Sequence, residues 1–228
     1  MGKNDNGNNG RTELVFVVDR SGSMGGLESD TIGGFNSMLS KQRTIVGECR
    51  VTTLLFDHRI ETLHNHLDIR EVNDLTSRDY WVRGSTALLD AIGLAIDRMI
   101  VTQRHTAAAY RAQHVLFVII TDGYENASRR YSLHQIKQMI TYERERYHWE
   151  FVFLGANIDA EQTAGDFGIS PRCATDFHAD GQGIKASFEA VACAATAVRG
   201  GADLDDLSAP DFLGGVRDDY RSRRRMKR

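Results

Sequence analysis

The stretch Leu14-Val-Phe-Val-Val-Asp-Arg-Ser-Gly-Ser-Met24 decides how the chain is read. Leu14 to Val18 is apolar without interruption and rich in β-branched valine. It is too short for a helix and suits a strand covered on both faces of a parallel sheet. The run stops at Asp19, and a carboxylate and two hydroxyls then alternate at Asp19, Ser21 and Ser23. Open parallel sheets bind ligands beyond the carboxyl ends of their strands. The chemistry is therefore expected in this turn.

Working outward, Val115 to Ile120 and Phe151 to Leu154 repeat the same apolar form. Between them lie segments with apolar residues at helical spacing: Thr31 to Val46 (Ile32, Phe35, Met38, Leu39, Val46), Ala87 to Thr102, and a helix capped by Ser132 that runs to about Tyr147. Arg50 to Phe56 and Ile60 to His64 are separated only by Asp57-His58-Arg59 and read as a hairpin that puts one antiparallel strand at a sheet edge. Ala174 to His178 reads as a last strand and Ile184 to Val198 as a last helix. The order predicts a doubly wound α/β fold: a mostly parallel central sheet with one antiparallel edge strand and helices on both faces. The expected organisation is a disordered N-terminus over 1–11, one domain over 12–200, and an acidic-then-basic, flexible tail over 201–228.

With 228 residues, the chain is long enough to bury one sizeable core. Hydrophobic residues make up 41% and charged residues 26%, the balance of a water-soluble domain. A net charge of −3 gives no reason to expect nucleic acid or an acidic membrane as the main partner. No apolar run approaches the roughly 18 to 20 residues of a membrane span. The Asn- and Gly-rich start lacks the apolar core of a secretory signal. Cys49, Cys173 and Cys193 are too few and too widely spaced for a disulfide framework or a thiolate metal site. Together these features lead to an expectation of a cytoplasmic protein.

Two more polar clusters fall where the first does. Gly84-Ser85-Thr86 precedes a helix, and Thr121-Asp122-Gly123 follows a strand. Asp19, Ser21, Ser23, Thr86 and Asp122 then offer two carboxylates and three hydroxyls, with no thiolate or imidazole. Hard oxygen donors carrying few charges match Mg²⁺ or Mn²⁺, and Ca²⁺ also accepts an all-oxygen set. Gly22 and Gly123 let the backbone bend close to an ion.

In this order and spacing, Asp19-x-Ser21-x-Ser23, Thr86 and Asp122-Gly123 resemble the metal-ion-dependent adhesion site (MIDAS) of the von Willebrand factor A family, and the resemblance extends over about Thr12 to Val198. Val17 to Met24 and Gly84 to Ile92 look similar to bacterial A-domain proteins of the tellurium-resistance type. The resemblance implies a non-enzymatic, metal-dependent module that binds another protein, with a partner's Asp or Glu completing the metal shell, in a stress or metal-resistance setting. In that family the serines and the threonine hold the ion, and the aspartates often act through water.

Around the cluster, Arg20, Met24, Trp81, Ser85, Gly123 and Glu125 are candidates for partner contact. A metal-dependent hydrolase or phosphatase using the same ion is the alternative, with Glu125 near a metal-bound water. A third reading is a nucleic-acid adaptor working through Arg221 to Arg228. His64-Asn65-His66 places two imidazoles on one strand face, if the hairpin extends that far, and reads as a solvated edge.

Overall fold

The computed structural model describes residues 10–226, with side chains through Arg224. The strands are β1 (Thr12–Asp19), β2 (Cys49–Phe56), β3 (Ile60–Asp68), β4 (His114–Thr121), β5 (Glu150–Gly155) and β6 (Ala174–Asp176). They form one sheet in the order β3-β2-β1-β4-β5-β6. All neighbours run parallel except β2 and β3. The helices are α1 (Glu28–Arg43), α2 (Leu88–His105), α3 (Leu133–Tyr147), α4 (Ala160–Asp166), α5 (Gly181–Arg199) and α6 (Gly214–Met226). The doubly wound sheet with its antiparallel edge is thus present.

Every residue of β1 is buried, which explains why its sequence does not alternate. α1 packs beside α5, and α2 beside α3. Phe35 of α1 meets Phe16 of β1 edge-on at 5.2 Å and Phe188 of α5 at 6.2 Å, so three elements share one aromatic contact. The Gln42 side-chain amide donates to the Ala192 carbonyl at 2.9 Å, and Arg199 returns to the Gln42 carbonyl at 2.6 Å. β1 and β4 lie side by side at the centre, and the chain leaves them in opposite directions along the sheet. That reversal opens a crevice at their carboxyl ends, where two of the three polar clusters emerge.

Several boundaries differ from the sequence reading. α1 ends at Arg43, and Val46, expected on its core face, is 82% exposed. Ser132 caps α3 in a reciprocal capping box with Gln135. α4 was not foreseen, since seven residues carry too little apolar periodicity to stand out; Asp159 caps it by accepting from the Gln162 amide. His64 is buried, bonded to Thr53 at 3.0 Å and stacked on Phe35, rather than solvated. A bulge in the β2–β3 pairing separates it from His66, which lies 2.6 Å from Glu13, so the two rings serve different partners.

The stretch after Gly201 differs most from the expected tail. Leu204, Leu213 and Val216 are buried, and α6 packs on β6 and α5. Two of its basic residues are spent on ties. Arg217 donates to the carbonyls of Pro171, Arg172 and Ala174, and Arg223 pairs with Asp180 and Asp219. The charge count of the segment hides the three apolar residues that dock it. At the other end, Arg11 pairs with Glu48 at 2.6 Å, while the rest of the Asn- and Gly-rich lead-in, before Gly10, lies outside the described residues. Among the described residues no helix is long and apolar enough to cross a membrane.

Truncating the shared aromatic contact tests this packing. Phe35→Ala is expected to lower unfolding free energy by about 3–5 kcal/mol in urea titrations. Val101→Ala, on the half-exposed side of α2, should change it by less than about 0.5 kcal/mol.

Candidate metal centre

The centre begins where β1 stops. Asp19 is buried, and its two oxygens point to different neighbours. One accepts from the Ser21 amide at 2.7 Å and turns the chain back at once. The other accepts from the Thr121 hydroxyl at 2.6 Å and locks β1 to the end of β4. A short 3-10 turn over Gly22–Met24 then sets Ser23 beside Ser21, with their hydroxyls 3.1 Å apart. The second loop is carried over to meet it. Gly22 N donates to the Gly84 carbonyl at 3.1 Å, and the Thr86 hydroxyl donates to that of Ser21 at 3.0 Å. Gly84 has φ +68°, a left-handed conformation that a side chain would strain. Gly123 closes the third side. A β-carbon there would lie 3.1 Å from the Ser23 hydroxyl and 3.4 Å from that of Thr86.

Ser21, Ser23, Thr86 and the Asp122–Gly123 turn therefore converge. Asp122 stands out among them: it is 1% exposed, and neither carboxylate oxygen accepts a well-formed hydrogen bond. Burial pushes its carboxyl up to about 6; the Ser23 hydroxyl partly offsets this and the neighbouring Asp19 charge adds to it. Burial likewise raises the Asp19 carboxyl, against the hydrogen bonds from Thr121 and Ser21. Buried acceptors without donors are costly, and native structures rarely leave them so. A cation among these oxygens would satisfy Asp122 and remove the repulsion between the two carboxylates. The donor set is all oxygen, which suits a hard divalent ion. Among the described residues no group of three or more His, Cys, Asp or Glu converges to offer a different metal cage.

A second, ionic layer braces the loops. Asp57, at the carboxyl end of β2, is fully buried and accepts from Arg20 at 3.1 Å and Arg83 at 2.7 Å. Burial alone would raise its carboxyl, but Arg83, the Arg59 amide and the Arg20 charge outweigh it and hold the group below the usual range. Its carbonyl also takes the Ala87 amide at 2.9 Å. Arg83 N donates to the Arg20 carbonyl at 2.9 Å, and the Tyr80 hydroxyl to that of Asp19 at 2.5 Å. By sequence Asp57 is only a residue of the hairpin connection. Its position, directly after an apolar strand like Asp19 and Asp122, was the signal available.

The neighbouring candidates divide. Arg20 and Met24, expected on the binding face, are buried: Arg20 is drawn in by Asp57 and Glu61, and Met24 joins the core. Glu125 accepts from the amides of Leu89, Ala127 and Ser128 and from the Ser128 hydroxyl, so its carboxylate holds the loop to the start of α2. That makes it a brace, with little capacity left to act as a base. Ser85 is exposed, and Trp81 is 44% exposed and lies over the Arg83 guanidinium at 4.3 Å. Asn126 ties the third loop to the second: its side-chain oxygen accepts from Thr86 N at 2.9 Å, and its amide donates to the Thr86 carbonyl at 3.0 Å.

Asp57→Ala leaves two arginines without their shared carboxylate. We expect a loss of about 3–5 kcal/mol of stability in chemical denaturation. A loss below about 1 kcal/mol would show that the pair behaves as a solvated surface contact.

No protein-family model matches the sequence, and no curated protein does. Solved structures do share its fold. Proximal thread matrix protein 1 from the mussel byssus, in a structure with a zinc-occupied MIDAS motif, superposes with a TM-score of 0.58 at 15% identity, over 82% of this chain and 46% of that one. A von Willebrand factor type A protein from Catenulispora acidiphila gives 0.53 at 10% identity, over 80% and 42%. The manganese-loaded TRAP protein of Plasmodium vivax gives 0.51 at 15% identity, over 78% and 72%. The chain spans less than half the length of the first two. At these identities the likeness is one of architecture: this is the Rossmann-like fold of von Willebrand factor A domains, and the two loaded neighbours carry a divalent metal.

Proposed function

We propose that the chain is a divalent-metal-dependent protein-binding module, not an enzyme. In this reading Ser21, Ser23 and Thr86 hold Mg²⁺ or Mn²⁺, and Asp19 and Asp122 balance its charge directly or through water. The observation that carries it is the Asp122 carboxylate, buried and accepting no well-formed hydrogen bond, beside three hydroxyls linked at 3.0 and 3.1 Å. The bound ion would supply an electrophilic point with a replaceable water, and a partner's Asp or Glu is the ligand that gains most from such a point. Asp19 already spends its oxygens on Ser21 and Thr121, which supports a role behind water and leaves the ion much of its positive charge. The zinc- and manganese-loaded neighbours support the choice of a divalent cation. A cytoplasmic role in stress or metal resistance belongs to the same proposal and rests on the sequence resemblance alone.

Calorimetric titration with Mg²⁺ and with Mn²⁺ tests the site. One ion should bind per chain, and Asp122→Ala should abolish the binding heat while far-ultraviolet circular dichroism stays unchanged. Equal binding by Asp122→Ala would place the metal elsewhere.

The raised Asp122 carboxyl makes a further prediction with a definite sign. Its folded value of about 6 exceeds the unfolded value near 3.8, so without metal the folded state prefers the protonated form. The charged carboxylate therefore costs stability fully above pH 6, and the cost fades as pH falls toward 4. Metal-free Asp122→Asn should be more stable than wild type at pH 7.5 by about 1–2 kcal/mol, and equal to it near pH 4. Metal affinity should weaken as pH drops through 6, because the proton competes with the ion. An affinity flat between pH 5 and 7.5 contradicts this.

A further inference from the structure

Beside the hydroxyl cluster lies an open cavity of about 570 Å³, lined by His58, Arg59, Ser85, Asp90, Asn126 and Arg129, among others. Three elements already tied to the centre form its walls: the β2–β3 hairpin tip, the Gly84–Thr86 loop and the loop after β4. Ser85 precedes Thr86 directly, and Asn126 is bonded to Thr86 in both directions. The cavity therefore continues the face on which the proposed ion would sit.

Its donors and acceptors do not balance. Asp90 accepts the amides of Arg129, Arg130 and Tyr131, each at 2.9 Å, which uses three of its roughly four lone-pair positions. The Asn126 oxygen is taken by Thr86 N. Glu125, behind the wall, accepts four bonds of its own. The donors, in contrast, are largely unused. Arg59 and Arg129 are exposed, and among the described residues their guanidinium groups have no partner. The Ser85 hydroxyl and the Asn126 amide nitrogen likewise donate to no described residue. Arg59 and Arg129, whose planar forks carry five N–H groups each, line a cavity whose own acceptors are nearly exhausted. The His58 ring flanks them but is turned to Asp57, with its Nδ1 3.0 Å from that carboxylate.

We propose that this cavity takes a second carboxylate from the same partner segment whose first carboxylate binds the metal. The partner surface is then an acidic protein segment with two Asp or Glu residues a few positions apart, and a single exposed carboxylate does not use the whole site. This inference rests on the metal-dependent reading above. An Arg–carboxylate fork adds direction as well as affinity, so Arg59 and Arg129 would select among acidic segments that the ion alone could not tell apart.

The test uses the full chain and three fluorescent peptides that carry two aspartates, one aspartate or none, in Mg²⁺ and in EDTA, read by anisotropy. Wild type in Mg²⁺ should bind the two-aspartate peptide about fivefold more tightly than the one-aspartate peptide, and the third not at all. Arg59→Ala/Arg129→Ala should bind both aspartate peptides with the single-aspartate affinity and still require Mg²⁺. Arg130→Ala, on the same loop but outside the cavity, should keep the wild-type preference. If the double variant retains the full preference, the cavity does not take the second carboxylate, although the metal reading stands. If no peptide responds to Mg²⁺ in wild type, the metal reading fails and this inference falls with it.

Discussion

The carboxylate of Asp19 is the pivot of the molecule. It ends the most buried strand, and its two oxygens reach two different loops, one through the Ser21 amide and one through the Thr121 hydroxyl. Because β1 and β4 are hydrogen-bonded neighbours along nearly their whole length, this one group fixes how their ends face one another. The crevice between them follows from the topology, but its lining follows from Asp19. Without that carboxylate, the tight turn that places Ser21 beside Ser23 would lose its first hydrogen bond, and β1 its tie to the end of β4.

Two electrostatic layers with opposite character meet there. In the outer one, Asp57 is surrounded by Arg20, Arg83 and backbone donors, and its carboxyl is held low. Its charges are matched, with Arg20 and Arg83 against Asp57 and Glu61. In the inner one, Asp19 and Asp122 are buried near one another, both carboxyls are raised, and Asp122 accepts no well-formed hydrogen bond. It is an incomplete structure. The rigidity of the first makes the second bearable, since loops anchored by a buried ion network do not collapse to relieve two crowded carboxylates. Preorganisation of this kind lowers the ordering cost of binding and leaves the free energy for the ligand.

Much of this was legible in the sequence, for identifiable reasons. Strands buried on both faces are written as unbroken apolar runs, so β1, β4 and β5 were plain, and with them the parallel sheet. Asp19, Ser21, Ser23, Thr86 and Asp122 were legible because a strand end is a fixed address in this architecture. What failed was anything that depends on a distant partner. Arg20 reads as a surface residue until Asp57 is placed beside it, and Glu125 reads as a reactive carboxylate until four donors are seen to fill it. Met24 sits inside a polar motif yet turns into the core. The docked segment after Gly201 was hidden by its charges, because Leu204, Leu213 and Val216 are too sparse to form a pattern. The pairing bulge that parts His64 from His66 has no local signature.

Anomalous diffraction from crystals of the chain grown with Mn²⁺ locates the ion. One strong peak should lie within roughly 2.1–2.3 Å of the hydroxyls of Ser21, Ser23 and Thr86, with Asp122 bound to it directly or through one water. A peak elsewhere, with no ion beside the Asp122 carboxylate, would rule out this cluster as the metal centre.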